Sequence, residues 1–355
     1  MKTTARTLKL GGPARLLGLR NLLALKRARR DAWDALLGPY ITTRAIQALW
    51  HIGFLQELAG GKCVNAAAFA RSNALDEAGV TALCEALYAR HYFRKSLAGY
   101  SLARKGWFLS DNQLAMGWFE LVFGYAPVLN GIEKLLRREA VYGAGIVRDG
   151  EAVATGSGMI STGVFFPLVM KTIAAAGYRK VLDIGCGDGA FLRFLCRQLP
   201  HVTGVGVDLS AAAVAAGRSL VEAAGLSSRI RLLVGDARAL EPLGHELRDL
   251  DAITAFFVLH ELCDAQESHQ AVEFLRAVRR ALPGVTLHIV EPIRVGVERL
   301  RKRPGLSVEY FLLHDLSRQH LGWRGDWARL FAKAGFEQMQ EQHITFARTA
   351  IYSVK

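Results

Sequence analysis

The sequence predicts an α/β protein, a doubly wound parallel sheet preceded by a mainly helical region that closes in a small hairpin. Three observations predict it. Residues 181–191, VLDIGCGDGAF, read as a buried strand, a turn without side chains at Gly185, Gly187 and Gly189, and a helix begun by Leu192, Phe194 and Leu195. Four more strand-like runs follow, at residues 201–210, 230–237, 251–259 and 285–292, separated by helix-length segments. Upstream, helical patterns over residues 31–58, 64–72 and 76–88 precede HYFRKSLAGYSL at 91–102, a hairpin with Gly99 near its turn. Within the first pattern, Pro39 is expected to break the helix, with Thr42 or Thr43 capping its second half.

The glycine turn carries the first functional signal. Glycines let backbone N–H groups and a helix N-terminus approach a ligand closely. The pattern is G-x-G-x-G, not the G-x-G-x-x-G of dinucleotide folds, and Asp183 stands two residues before the first glycine. A carboxylate there repels a pyrophosphate and attracts an amino group, so a cationic amino-acid nucleoside suits the turn better than NAD. Asp208 ends the second strand about 20 residues on, where an acid accepts hydrogen bonds from ribose hydroxyls. Asp236 ends the third. Singly, each acid reads equally well as a helix cap or turn residue.

In these residues the chain resembles the class I S-adenosylmethionine-dependent methyltransferases. The resemblance implies a Rossmann-like catalytic domain that binds S-adenosyl-L-methionine. Asp183, Gly185, Gly187 and Gly189 would hold the methionine part, Asp208 and Leu209 the ribose, and Asp236 and Ala237 the adenine.

At 355 residues two domains are expected, and 51% hydrophobic content is enough for two cores. No run approaches the roughly 18 apolar residues of a membrane span. Cys63, Cys84, Cys186, Cys196 and Cys263 are scattered without C-x-x-C spacing, which argues for a reducing cytoplasmic setting and against a disulfide frame or zinc ribbon. The net charge of +13 is concentrated: residues 1–30 hold nine basic and no acidic residues, leaving four charges over the other 325. That arm lacks the apolar core and cleavage site of a secretory signal, although its arginine-rich, acid-poor composition is also that of organelle-import segments. It reads as a helix start with some affinity for anionic surfaces.

Helices followed by a hairpin make a winged-helix arrangement, a frequent DNA reader. Arg71, Arg90, Arg94, Lys95, Arg104 and Lys105 would serve such a role, but residues 76–88, in the recognition-helix position, carry Asp76, Glu77 and Glu85 and no basic residue. Phosphates would repel that helix. The small-molecule O-methyltransferases of secondary metabolism, which this sequence resembles over most of its length, use a winged-helix-like domain for dimerisation. The resemblance therefore implies a homodimer and makes nucleic acid an unlikely partner. The expected division is a basic arm at 1–30, a winged-helix-like and linking region at 31–158, and the catalytic domain at 159–355. In the resembled family the linking region contributes to the acceptor pocket; of its aromatics Trp118, Phe119, Phe123 and Tyr125, most are expected to pack the domain junction, with residues 142–158 forming a loop or lid and residues 159–176 a helix leading into the catalytic domain.

For the chemistry, His260 in FFVLHELCD follows the fourth strand, and an imidazole with an ordinary pKa near 6.5 can take a proton at neutrality. In the resembled family a histidine here is the general base, and Glu291, at the end of the fifth strand, matches an acid that orients it. Glu261 and Leu262 stand where the family has Asp and Trp, and Phe256 stands where some members have a basic residue. The family's G-G-x-E-R-T segment is replaced by HLGWRGDW at 320–327, without its acid. His314 lies nearby in YFLLHDLSRQH, and the spacing from His260 to His314 is similar to that of 2-oxo acid C-methyltransferases, which place two histidines on a metal. That alternative makes His260 and His314 ligands of iron or zinc, with the metal stabilising an enolate. The plainer reading of His314 is a pocket residue without metal. His320, six residues on, is off the same helix face.

The sequence is thus read as a methyltransferase acting on a small-molecule hydroxyl, with His260 as base. Metal-assisted carbon methylation of a 2-oxo acid is the alternative, and a cofactor-sensing DNA-binding regulator the third reading.

Overall fold

The computed structural model describes residues 11–111, 113–240, 244–263, 269–305 and 307–355. Expectations for residues 1–10 lie outside the described residues. The chain separates into two compact units, one ending at Ala115 and one running from Met116 to Lys355. Residues 116–158, grouped with the N-terminal region from sequence, therefore cluster with the sheet.

In the first unit, helix Gly11–Ala28 is interrupted at Gly18, and the chain stays helical through Arg29–Leu37 and Gly38–His51. Pro39 does not break it. The ring sits in the first turn of Gly38–His51, where a missing N–H costs little. Thr42 and Thr43 do not cap either: their hydroxyls donate back to the carbonyls of Gly38 and Pro39. Helices Ala66–Ser72 and Glu77–Ala89 are N-capped by Asn65 and Asp76, whose side chains accept from Ala68 N and Gly79 N. The hairpin pairs β1 (Phe93–Ser96) with β2 (Gly99–Leu102). Gly99 has φ 135°, and a Cβ there would lie 2.2 Å from the Val64 carbonyl oxygen. Leu49, Phe54, Leu87 and Phe93 are buried at the centre of this unit. Arg71 and Lys95 are paired with Glu77 and Glu85 at 2.6 and 2.9 Å, so their charge is spent on the neighbouring helix.

In the second unit, a short pair, β3 (Val141–Tyr142) and β4 (Gly145–Ile146), precedes the main sheet. The sheet comprises β5 (Lys180–Ile184), β6 (Thr203–Asp208), β7 (Ile230–Val234), β8 (Ala252–Phe256), β9 (Thr286–Pro292), β10 (Met339–Ile344) and β11 (Thr349–Val354). Its order is β10-β11-β9-β8-β5-β6-β7. Strands β5 to β9 are parallel, while β11 runs antiparallel between β9 and β10. Val181, Leu182, Ile184, Ile253, Ala255, Ile289 and Val290 are nearly solvent-free, as expected for strands covered on both faces. The order reverses at β5, which has β6 on one side and β8 on the other, so the crevice for ligands lies at the carboxyl ends of these strands.

The expected loop or lid at 142–158 is largely helix. Gly150–Gly163 is one helix, N-capped by Asp149, and Phe165–Ala176 follows it. Its glycines serve contact, not looseness. A Cβ on Gly156 would lie 2.4 Å from Leu121 N, and one on Gly117 would lie 2.9 Å from Gly156 O. Helices Gln113–Gly124 and Gly150–Gly163 thus cross backbone against backbone. No single helix among the described residues is long and apolar enough to cross a membrane.

Candidate active site

The turn after β5 is wound as its sequence requires. Gly185, Gly187 and Gly189 all have positive φ, at 68°, 54° and 74°. At Gly185 a Cβ would also meet Val258 Cγ2 at 2.7 Å, whereas at Gly187 the space is open. The turn is pinned to β6: Gly185 N donates to Val207 O at 2.9 Å, and Gly187 N to Asp208 Oδ2 at 2.8 Å. The other oxygen of Asp208 accepts from Ser210 N.

Asp183 is buried, and its Oδ1 accepts from the Thr254 hydroxyl at 2.7 Å. Burial raises its pKa to about 7, the Thr254 hydrogen bond opposes this, and the charge of Asp208 adds to it. A buried carboxyl with so little compensation is poised for a cation. Asp236 stands two residues past β7, where Arg238 clamps both carboxylate oxygens at 2.6–3.0 Å and holds its pKa down. Leu209 is exposed and Ala237 packs beside the sheet core. The structure therefore brings Asp183, the three glycines and Asp208 together, while the carboxylate of Asp236 is occupied.

His260 sits in the 3-10 turn Leu259–Leu262 after β8, and Glu291 in β9; both are buried. Glu291 Oε2 lies 2.8 Å from His260 Nδ1, and Oε1 accepts from Leu259 N at 2.6 Å. Burial pulls the His260 pKa down, but the Glu291 carboxylate against the ring, aided by Glu261, outweighs it and the net shift is upward. With Nδ1 donating to Glu291, Nε2 is the nitrogen left to accept a proton. Between β8 and this turn, Phe257 has φ 59°, a strained value for an aromatic residue.

Residues 181–283 match the family model described as a methyltransferase domain. Among curated proteins, the chain is 24% identical to methyltransferase ungE' of Aspergillus campestris over 84% of this chain and 89% of that one. It is 28% identical to 2-ketoarginine methyltransferase of Streptomyces arginensis, over 83% and 85% respectively. With this domain the chain is an S-adenosylmethionine-dependent methyltransferase. Its fold is that of human N-acetylserotonin methyltransferase in complex with S-adenosylmethionine, with TM-score 0.65, 15% identity, and 95% and 97% of the two chains covered.

In this methyltransferase His260 is flanked by a polar wall that no sequence motif announces. Arg148 donates to both oxygens of Glu261, at 2.6 and 2.7 Å, and to the Tyr125 hydroxyl at 3.1 Å. The Tyr125 hydroxyl in turn donates to Gln319 Oε1 at 3.1 Å. His314 is buried with its ring centre 5.3 Å from that of His260, and Nδ1 donates to Tyr310 O at 2.7 Å. Burial, with the neighbouring His260, lowers the His314 pKa to about 3, so it is neutral. The two histidines thus do converge, but among the described residues no group of three His, Cys, Asp or Glu is arranged to hold a metal. Arg148, Gln319 and Thr254 carried no motif. Thr254 alone offered a signal, a polar residue inside the otherwise apolar run of β8.

Proposed function

We propose that the enzyme methylates a small-molecule hydroxyl of secondary metabolism, with His260 as the general base. The observation that carries this reading is the buried contact of His260 Nδ1 with Glu291, which fixes the tautomer and leaves Nε2 to take a proton. S-adenosylmethionine, when bound, supplies an electrophilic methyl group. Asp183 would hold its ammonium, Gly185, Gly187 and Gly189 would admit its methionine part, and Asp208 and Leu209 would meet the ribose. Asp236 would reach the adenine on leaving Arg238, beside Ala237. His260 Nε2 receives the acceptor's proton as the acceptor oxygen takes the methyl carbon, and S-adenosylhomocysteine departs. The enzyme acts in the cytoplasm as a homodimer, with the winged-helix-like helices and hairpin of the first unit as the dimerising part. A His260→Gln variant tests the base: it keeps S-adenosylhomocysteine binding and loses at least a hundredfold in kcat, a typical general-base contribution of about 10²–10⁴. Unchanged kcat would sink the assignment.

A second reading has one specific observation behind it, the paired rings of His260 and His314. Both Nδ1 atoms are engaged by oxygen, by Glu291 and by Tyr310 O, as outer partners of metal-bound histidines are. Their two Nε2 atoms would be the ligands of an iron or zinc ion completed by substrate oxygens, and such a metal would act as a Lewis acid on a 2-oxo acid enolised for carbon methylation. The 2-ketoarginine methyltransferase relative supports that acceptor class. Metal content decides it: stoichiometric iron or zinc that is lost with activity in His314→Ala favours this reading, and a chelator-insensitive, metal-free enzyme removes it.

A further inference from the structure

Gln319 is buried, and its carboxamide is satisfied at one end only. Oε1 faces two hydroxyls, Tyr125 at 3.1 Å and Ser317 at 3.0 Å. Nε2 has no hydrogen-bond partner. Turning the amide over does not remove the problem. The Tyr125 hydroxyl already accepts from Arg148 and needs an acceptor for its own proton, which Oε1 provides. The main chain here is held in place, because Gln319 N donates to His314 O at 2.9 Å, and Ser317 is anchored to Leu313 O at 2.8 Å. A buried donor without a partner is uncommon in proteins and calls for a ligand to complete it.

The position gives that ligand its identity. Gln319 bonds Tyr125, the Tyr125 ring lies 5.9 Å from that of His314, and His314 lies 5.3 Å from His260. Gln319 is therefore linked through Tyr125 and His314 to the proposed base. We propose that Gln319 Nε2 donates a hydrogen bond to the methyl acceptor, and that the acceptor presents there an oxygen with free lone pairs, such as a carbonyl or carboxylate. This rests on the reading of His260 as the reacting side of the pocket. It adds a selection rule, since a molecule offering only N–H or apolar surface at that point leaves Nε2 unpaired.

The test uses full-length enzyme, S-adenosylmethionine and three acceptors, 2-ketoarginine, phenylpyruvate and catechol. Gln319→Glu keeps an oxygen for Tyr125 and Ser317 but has no donor when ionised. At pH 8 its KM for the acceptor is expected to rise tenfold or more with S-adenosylhomocysteine affinity unchanged, and KM should recover as the pH is lowered and the carboxyl regains a proton. Gln319→Met, a neutral variant of similar length, should show the same rise without recovery. A wild-type KM at pH 8 in either variant overturns the proposal. If wild-type enzyme methylates catechol and neither oxo acid, the oxo-acid reading falls, and the same KM comparison on catechol still decides the role of Gln319.

Discussion

Glu291 divides its carboxylate between the Leu259 N–H and the ring of His260, at 2.6 and 2.8 Å. One acid thus fixes both the turn that carries the proposed base and the orientation of its imidazole. In Glu291→Gln one of those two donors would face an NH2 group. The expected outcome is a kcat loss of about 10²-fold or more, with S-adenosylhomocysteine affinity within twofold of wild type, read by steady-state kinetics and calorimetry. Equal losses in both would mean that Glu291 only supports the fold.

The raised pKa of His260 sets the acid limb of activity. The base must be neutral, so kcat should climb with pH and reach half its plateau above the ordinary 6.5 of a histidine. Removing the carboxylate in Glu291→Gln should move that midpoint down. A midpoint below 6.5 in the wild type would contradict the pairing.

Asp183 makes a parallel demand on cofactor binding, because it too must lose its proton, here to meet an ammonium group. With its pKa near 7 in the free enzyme, S-adenosylhomocysteine affinity should rise with pH by about tenfold between pH 6 and 8. Asp183→Asn should bind at least tenfold more weakly and show a flat profile. Calorimetry across that range separates the two behaviours.

Acid sensitivity should come from buried neutral histidines. His288 is held to about 4 and His314 to about 3, both by burial first. Each folded value lies below the unfolded 6.5. Their stability contribution is therefore present above pH 6.5 and is lost as the pH falls toward 4 and 3, at about 1.4 kcal/mol per pKa unit. Urea midpoints should drop steadily below pH 6.5, and less steeply in His288→Asn.

The parallel strands and their order of use were legible because they are continuous apolar runs ending in acids. Asp183, Asp208, His260 and Glu291 announced themselves by standing at those ends. The last two strands were missed for opposite reasons: β10, MQEQHI, is a mostly polar edge strand, and β11, TAIYSV, is a short run with no turn signal before it. Residues 150–158 misled because glycine in sequence reads as flexibility. Only the neighbouring helix reveals that Gly156 is a contact point. The wall of Arg148, Tyr125 and Gln319 was invisible for a related reason, since its members are 23 to 194 residues apart and meet only through the fold.

The crossing of Gln113–Gly124 and Gly150–Gly163 also bears on how acceptor preference diverges. Gly124 O accepts from Asp149 N at 2.7 Å, and a Cβ on Gly124 would lie 2.6 Å from Val153 Cγ2. Tyr125 and Arg148 are the next residues along the chain from that bond, so main chain alone sets the span between them. At Gly117, Gly124 and Gly156 there is no room for a side chain, so mutation there cannot widen or narrow the crossing by small steps. Selection acting on the acceptor must work instead on the side chains of Ser307–Leu316 and residues 317–320. Closely related enzymes with different acceptors should therefore share the glycines and vary there.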